Sequence, residues 1–163
     1  MPNPQKRADT LARLYARPGF LLRRAHQLAV GIFEAECSVP GLTAPQYGAL
    51  TVLANAKGID QSGLSRALGF DRVTTLRLMR GLEQRRLVAR EPSGEGRRLR
   101  LSLTAKGERV LAQADEPLQR AMQRQLAPLS AREQTELLAL LRKLCAGLDS
   151  QARTPLVPPT LIP

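Results

Sequence analysis

DRVTTLRLMRGLEQRRLVAREPSGEGRRLRLSLTAKG, residues 71–107, is the stretch on which the reading of this chain turns. Asp71 is a good helix N-cap, because its carboxylate can accept from backbone N–H groups one turn on. Thr75, Leu78, Met79 and Leu82 then recur at i, i+3, i+4 and i+7, the spacing of one buried helix face. The opposite face carries Arg72, Val73, Leu76, Arg77 and Arg80, with Thr74 at its edge. The helix is expected to reach about Arg86. Two short β-like runs follow, 87–90 and 98–103, separated by Pro-Ser-Gly-Glu-Gly, and this pattern reads as a hairpin. Thr104 opens another helix.

Working upstream, Asp60 caps a short helix through Leu68, and Gly69 stops it. With the helix from Asp71 it makes a helix-turn-helix, and the hairpin makes the unit a winged helix. Thr43, with Gln46 three residues on, forms a capping box for a helix to about Asn55, and Pro45 suits its first turn. A long apolar-faced helix occupies GFLLRRAHQLAVGIFEAECSV and ends at VPGL. Residues 1–9 read as a frayed tail, with a first helix starting near Thr10. Downstream, the helix from Thr104 is expected to reach about Ala127, with Pro117 inside it as a kink. Ser130 and Glu133 form a second capping box, and Leu137, Leu138, Leu141 and Leu144 stripe the last helix. The proline-rich tail is expected to be irregular.

The fold class is therefore mainly α with a small β-hairpin wing, a winged helix-turn-helix flanked by long dimerisation helices. The expected divisions are an N-terminal arm (1–17), a first dimerisation and pocket helix (18–42), the winged helix (43–103), two C-terminal dimerisation helices (104–147) and a tail (148–163). The flanking helices carry more apolar surface than one small winged helix can cover, which calls for a second copy of the chain.

Composition narrows the function. Lys plus Arg number 25 against 14 acids, a formal charge of +11, and this balance points to a polyanionic partner, usually nucleic acid and sometimes an anionic membrane surface; with a helix-turn-helix the partner expected is double-stranded DNA. Aromatics are 3% of residues with no Trp, so the core is aliphatic. No apolar run approaches the ~20 residues of a membrane span, and the first ten residues lack a signal-peptide segment. A soluble, reduced, cytoplasmic protein is expected. One histidine, no metal-ligand spacing, no phosphate loop and no nucleophile motif argue against an enzyme, a metal or a cofactor.

In a helix-turn-helix the second helix enters the major groove. Arg72, Val73, Thr74, Leu76 and Arg77 are its expected DNA contacts, joined by Gln61 and Ser62 at the start of the first. Arg77 suits a bidentate guanine, while Val73 and Leu76 suit thymine methyls unless the helix is rotated and they belong to the core. At the wing tip, Arg97 and Arg98 suit the minor groove, and Glu95 orients Arg97 by pairing with it.

LTAPQYGALTVLA, then DRVTTLRLMRGLEQRRLV, and the acid-x-Arg wing leading into LSLTAKG resemble the MarR family of bacterial regulators, over about residues 18–147. The family usually has Asp where this chain has Glu95, and Gly where Arg86 precedes Leu87-Val88, a departure that suggests a different helix end. The resemblance implies a homodimeric repressor on a pseudo-palindromic operator, with a cavity for a small effector between the dimer helices and the DNA-reading unit. RPGFLLRRAHQ resembles a branch that represses aromatic-acid catabolism, most closely nicotinate degradation. A small aromatic carboxylate such as 6-hydroxynicotinate is then the implied effector. Arg23, His26 and Phe33 share a helix face with Gln27 and Val30, and Phe20, Gln46 and Tyr47 complete the candidate pocket. Cys37 and Cys145 are read as inert core thiols, with acids at 34 and 36 raising the pKa of the first. The competing readings are a thiol-based redox repressor and an architectural DNA-binding protein without effector.

Overall fold

The computed structural model describes residues 4–92 and 99–159. Two helices, α1 (Pro4–Tyr15) and α2 (Pro18–Glu36), precede the central unit. That unit runs α3 (Ala44–Asn55), α4 (Gln61–Leu68), α5 (Arg72–Gln84), β1 (Val88–Pro92) and β2 (Leu99–Leu103). The chain closes with α6 (Ala105–Gln113), α7 (Asp115–Leu126), α8 (Ala131–Leu148) and a 3-10 turn, Asp149–Gln151. A mainly helical winged helix with flanking helices is the fold expected of the sequence.

Capping chemistry sets the boundaries. Thr43 and Gln46 form the capping box of α3, and Ser130 and Glu133 that of α8. Asp60 accepts from the Gly63 N–H, and Asp71 from the Thr74 N–H. Each cap satisfies a donor that the first helical turn leaves without a partner. Gly69 ends α4 in the left-handed region, with φ of 64°.

Two expected helix boundaries differ in the structure. The first helix begins at Pro4, not near Thr10; proline is at home in a first turn, where its missing N–H costs nothing. The helix expected from Thr104 to Ala127 is two helices, broken at Ala114. Pro117 has no N–H for the Gln113 carbonyl, and its ring crowds that oxygen.

The main core among the described residues is an aliphatic cluster under the winged helix. Leu50 of α3, Leu64 of α4, Met79 and Leu82 of α5, Leu87, and Leu101 of β2 are all fully buried. β1 and β2 pair antiparallel, Val88 opposite Leu103 and Pro92 opposite Leu99. The Leu101 N–H also donates to the Ile59 carbonyl, so the residues before α4 add a short third rung to the wing.

Between α5 and β1 the backbone turns sharply. The Leu87 N–H reaches back to the Leu82 carbonyl and the Arg86 N–H to that of Glu83, a Schellman end with both leucines in the core. Arg86 occupies the left-handed position, with φ of 57°. The helix end is thus the ordinary one, made with an arginine where glycine fits without strain. Thr104 then ties the end of β2 to this turn. Its N–H donates to the Leu87 carbonyl, and its hydroxyl lies 2.8 Å from the Arg86 carbonyl. The Lys106 ammonium donates to the Arg85 carbonyl. Gly107 lies so close that a Cβ there would sit 2.1 Å from the Leu87 oxygen.

α7 packs along α2, and Glu36 joins them by ion pairs with Arg120 at 3.0 Å and Arg124 at 2.6 Å. The Arg124 guanidinium first, then that of Arg120, holds the Glu36 carboxyl below its ordinary 4.5.

Two tests follow from this packing. Gly107→Ala must push a methyl into backbone and is expected to lower stability by about 1–3 kcal/mol or more, whereas Arg86→Gly relieves the left-handed arginine and should add ~1 kcal/mol. Chemical denaturation of both variants checks the opposite signs. Because the folded pKa of Glu36 lies below its unfolded value, its ion pairs contribute fully above about pH 4.5 and are lost as pH falls through the folded value. The stability gap between wild type and Glu36→Gln should be constant near neutrality and close on acidification, as urea midpoints measured across that range will show.

Candidate nucleic-acid interface

α5 is set in place by its inner face. Thr75, Met79 and Leu82 are buried and Leu78 packs against the core. The Thr75 hydroxyl donates to the Asp71 carbonyl, which lets this polar side chain be buried without an unmet bond. With that face inward, Arg72, Val73, Thr74, Arg77 and Arg80 stand exposed, and Leu76 is half-buried. Val73 is 59% exposed, so it does not belong to the core and the helix is not rotated. An apolar side chain on a wet, arginine-rich face suits a thymine methyl. Thr74 has a local task as well: its N–H and hydroxyl both donate to the Asp71 carboxylate.

Gln61 and Ser62 occupy the first turn of α4, half-buried and exposed respectively. Backbone N–H groups at such a helix start favour phosphate. The wing is fixed to the recognition helix by an ion pair between Arg90 of β1 and Glu83 of α5. The Ser102 hydroxyl donates to Glu91 across the hairpin. The predicted tip contacts Arg97 and Arg98, with the orienting Glu95, lie outside the described residues.

One arginine that the sequence reading passed over is structural. The Arg85 guanidinium donates to the carbonyls of Pro40 and Gly41 and to Gln46 Oε1. It pins the α2–α3 connection to the C-terminal end of the recognition helix. These contacts span about forty residues of chain, and no local pattern announces them.

The six candidate effector residues fall into separate groups. Phe33 and Tyr47 face each other, with ring centroids 6.1 Å apart. Phe20 lies against Tyr15 of α1 at 5.1 Å, and the Arg23 guanidinium stands 4.8 Å over the Phe20 ring while donating to Gln27. Thirteen residues of helix separate Phe20 from Phe33, about 20 Å at 1.5 Å per residue, so the two do not form facing walls within one chain. His26 is exposed between the two groups. Gln46 is engaged by its cap and by Arg85. A cleft of about 690 Å³ opens beside Tyr47, between α3, β2 and α6, with Thr51, Lys57, Glu108, Leu111 and Asp115 on its walls.

The cysteines part company. Cys37 is buried, and desolvation first, then the neighbouring Glu36, pushes its thiol up, with no part for Glu34. Cys145 is exposed, contrary to the expectation of a core thiol, because α8 buries none of its residues within the chain. No described helix is long and apolar enough to cross a membrane.

An exposed arginine-bearing second helix, a capped first helix and a tethered wing define a winged helix-turn-helix of the DNA-binding class. The MarR family model matches residues 41–99. The chain is 36% identical over 132 residues to a putative transcriptional regulatory protein for the hcr operon of Thauera aromatica, covering 77% of each. The PcaV transcriptional regulator of Streptomyces coelicolor, solved with its natural ligand, superposes with a TM-score of 0.74 at 33% identity, over 82% of this chain and 94% of that one. The repressor CouR on a 23-mer DNA duplex (27% identity) and Bordetella bronchiseptica BpsR, solved for its regulation by 6-hydroxynicotinic acid (26%), each give 0.75. Each of these two matches covers 81% of this chain, with 94% of CouR and 96% of BpsR. The chain belongs to the MarR family of transcriptional regulators.

If Arg77 reads a base edge, Arg77→Ala is expected to cost ~1–3 kcal/mol on the cognate duplex and to relax preference at one position in each half-site. Fluorescence anisotropy against a set of single-position operator variants measures both, and equal losses on cognate and random duplexes would remove the assignment.

Proposed function

We propose that the protein is a homodimeric, ligand-responsive repressor. It binds a pseudo-palindromic operator through two copies of α5 and releases it when a small aromatic carboxylate binds. The observation that carries the DNA part is the outward face of α5: three exposed arginines and an exposed valine on a helix whose other face is locked in the core.

The dimer is supported by apolar surface that one chain leaves uncovered. Leu137, Leu138, Leu140, Leu141, Leu144 and Leu148 of α8 are each 36–58% exposed. Leu11 and Leu14 of α1 and Leu21, Leu22 and Leu28 of α2 are similarly open. Such a surface in water marks an association site. A second copy is the fitting cover, since each copy brings the same leucine-rich helices, and two recognition helices then read half-sites about one helical turn apart, ~10 bp.

The effector reading rests on Arg23 and its neighbours, together with the ligand-bound relatives. A guanidinium held over an aromatic ring is a ready fork for a carboxylate, and Phe20 and His26 offer a wall and a polar contact. These residues lie on the same uncovered α1–α2 surface, so a pocket there takes its other wall from the partner chain. BpsR, solved for its regulation by 6-hydroxynicotinic acid, supports a hydroxylated nicotinate as the acid to try first.

The test is a titration of the protein–operator complex with nicotinate, 6-hydroxynicotinate, benzoate and p-coumarate, repeated with Arg23→Ala and His26→Ala. At least one acid should displace the DNA, and a ligand preferring the DNA-free form ~100-fold shifts the equilibrium by about 2.7 kcal/mol. The two variants should need higher concentrations of it. Displacement by a peroxide alone would replace the effector with a thiol. Light scattering should give a dimer at micromolar concentration.

A further inference from the structure

The proline-rich segment after α8 is irregular, as its composition suggests, yet it is bound to the body of the molecule. The chain folds back at the Asp149–Gln151 turn, where the Leu156 N–H donates to Asp149 Oδ1 at 3.0 Å. One residue on, the Val157 N–H donates to the Arg66 carbonyl at 3.0 Å. That carbonyl belongs to the last turn of α4, where it also accepts the Gly69 N–H and has a second lone pair for the strap. The Thr154 carbonyl and the Leu156 side chain lie against Gly69, within 3.7–3.9 Å of where a Cβ would stand. Pro155 and Pro158 flank the bonded residues and fix φ on either side, so the segment loses little conformational freedom when it docks.

The strap lands on the turn between the two helices of the helix-turn-helix. Arg153 precedes its contact with Gly69, and Gly69 is two residues before Asp71, the N-cap of α5. Arg153 is near enough to act on Asp71: the Thr74 N–H first, then the Thr74 hydroxyl, and in smaller part the Arg153 charge, hold that carboxyl below its ordinary range. The Asp71 oxygens are already taken by Thr74. Arg66, Arg72 and Arg153 are all exposed around this turn, and none of them makes an ion pair with another described residue. The start of a recognition helix is the end that approaches the groove, with phosphates on either side.

We infer that residues 153–157 form a strap that belongs to the DNA-binding surface, seating Arg153 beside Arg66 and Arg72 at the α4–α5 turn to take a phosphate of the operator backbone. This rests on the DNA reading of α5. The strap adds affinity without sequence preference, because a phosphate carries no base identity. It also ties the end of α8 to the reading head through the backbone hydrogen bond from the Val157 N–H to the Arg66 carbonyl.

The test uses the full chain on cognate and random duplexes across a range of salt. Arg153→Ala removes the charge, and Val157→Pro removes the N–H that holds the strap while leaving the charge. Each should make the salt dependence of binding shallower by about 0.9 for each half-site, and weaken cognate and random DNA by similar factors of roughly three to ten at low salt. Arg153→Lys should keep most of the slope. If wild type binds its duplex and Arg153→Ala leaves the slope unchanged, the strap is no part of the DNA surface. If Arg153→Ala lowers the slope but Val157→Pro does not, the docked position is not what delivers the charge, and the inference fails in that form. A wild type that binds no duplex would overturn the DNA reading itself, and the strap with it.

Discussion

The Leu87 carbonyl is the point on which the winged helix closes. It accepts the Thr104 N–H, so the end of β2 is bonded to the residue that opens β1. Around it, Thr104 caps α6, Lys106 reaches the C-terminal end of α5, and Gly107 lets α6 approach backbone to backbone. Recognition helix, wing and α6 meet within these few residues. A shift of α6 there must move α5 and the wing together, since none of the three can slide past an oxygen that a Cβ would strike.

The outward face of α5 follows from its inward one. Thr75, Met79 and Leu82 take the core, and the helical period leaves Arg72, Val73 and Arg77 no place but water. The arginines are there in excess of anything folding needs. Elsewhere the chain uses arginine differently: Arg85 supplies three hydrogen bonds across the α2–α3 connection, and Arg120 and Arg124 grip Glu36. Charge count points to DNA only after these structural guanidinium groups are set aside.

The flanking helices pose the complementary problem. α1, α2 and α8 expose leucines that the chain does not cover, and of the residues expected to hold an effector only Phe20, Arg23 and His26 lie along that surface, Phe33 being buried. Phe33 and Tyr47 meet within the chain, while Phe20 and Arg23 sit at the α1–α2 junction about 20 Å along the helix. A pocket joining them needs a surface this chain alone does not supply.

Much of this was legible in order along the chain. The caps at Thr43, Asp60, Asp71, Thr104 and Ser130 are local chemistry, settled within one turn of backbone, and the sequence by itself determined them. So did the periodicity that assigns Thr75, Leu78, Met79 and Leu82 to the core, because a helix face needs only spacing. Arg86 in a left-handed turn was not legible from propensity, since an arginine pays a local strain that only the Leu82–Leu87 burial around it offsets. The break at Ala114 was half visible: Pro117 announced a disturbance, and the structure turned it into two helices. The exposed Cys145, the Arg85 bridge and the docked tail were decided by tertiary structure alone. Each depends on which distant segments meet, and on a helix whose apolar stripe finds no cover in its own chain; residue spacing along a sequence records neither.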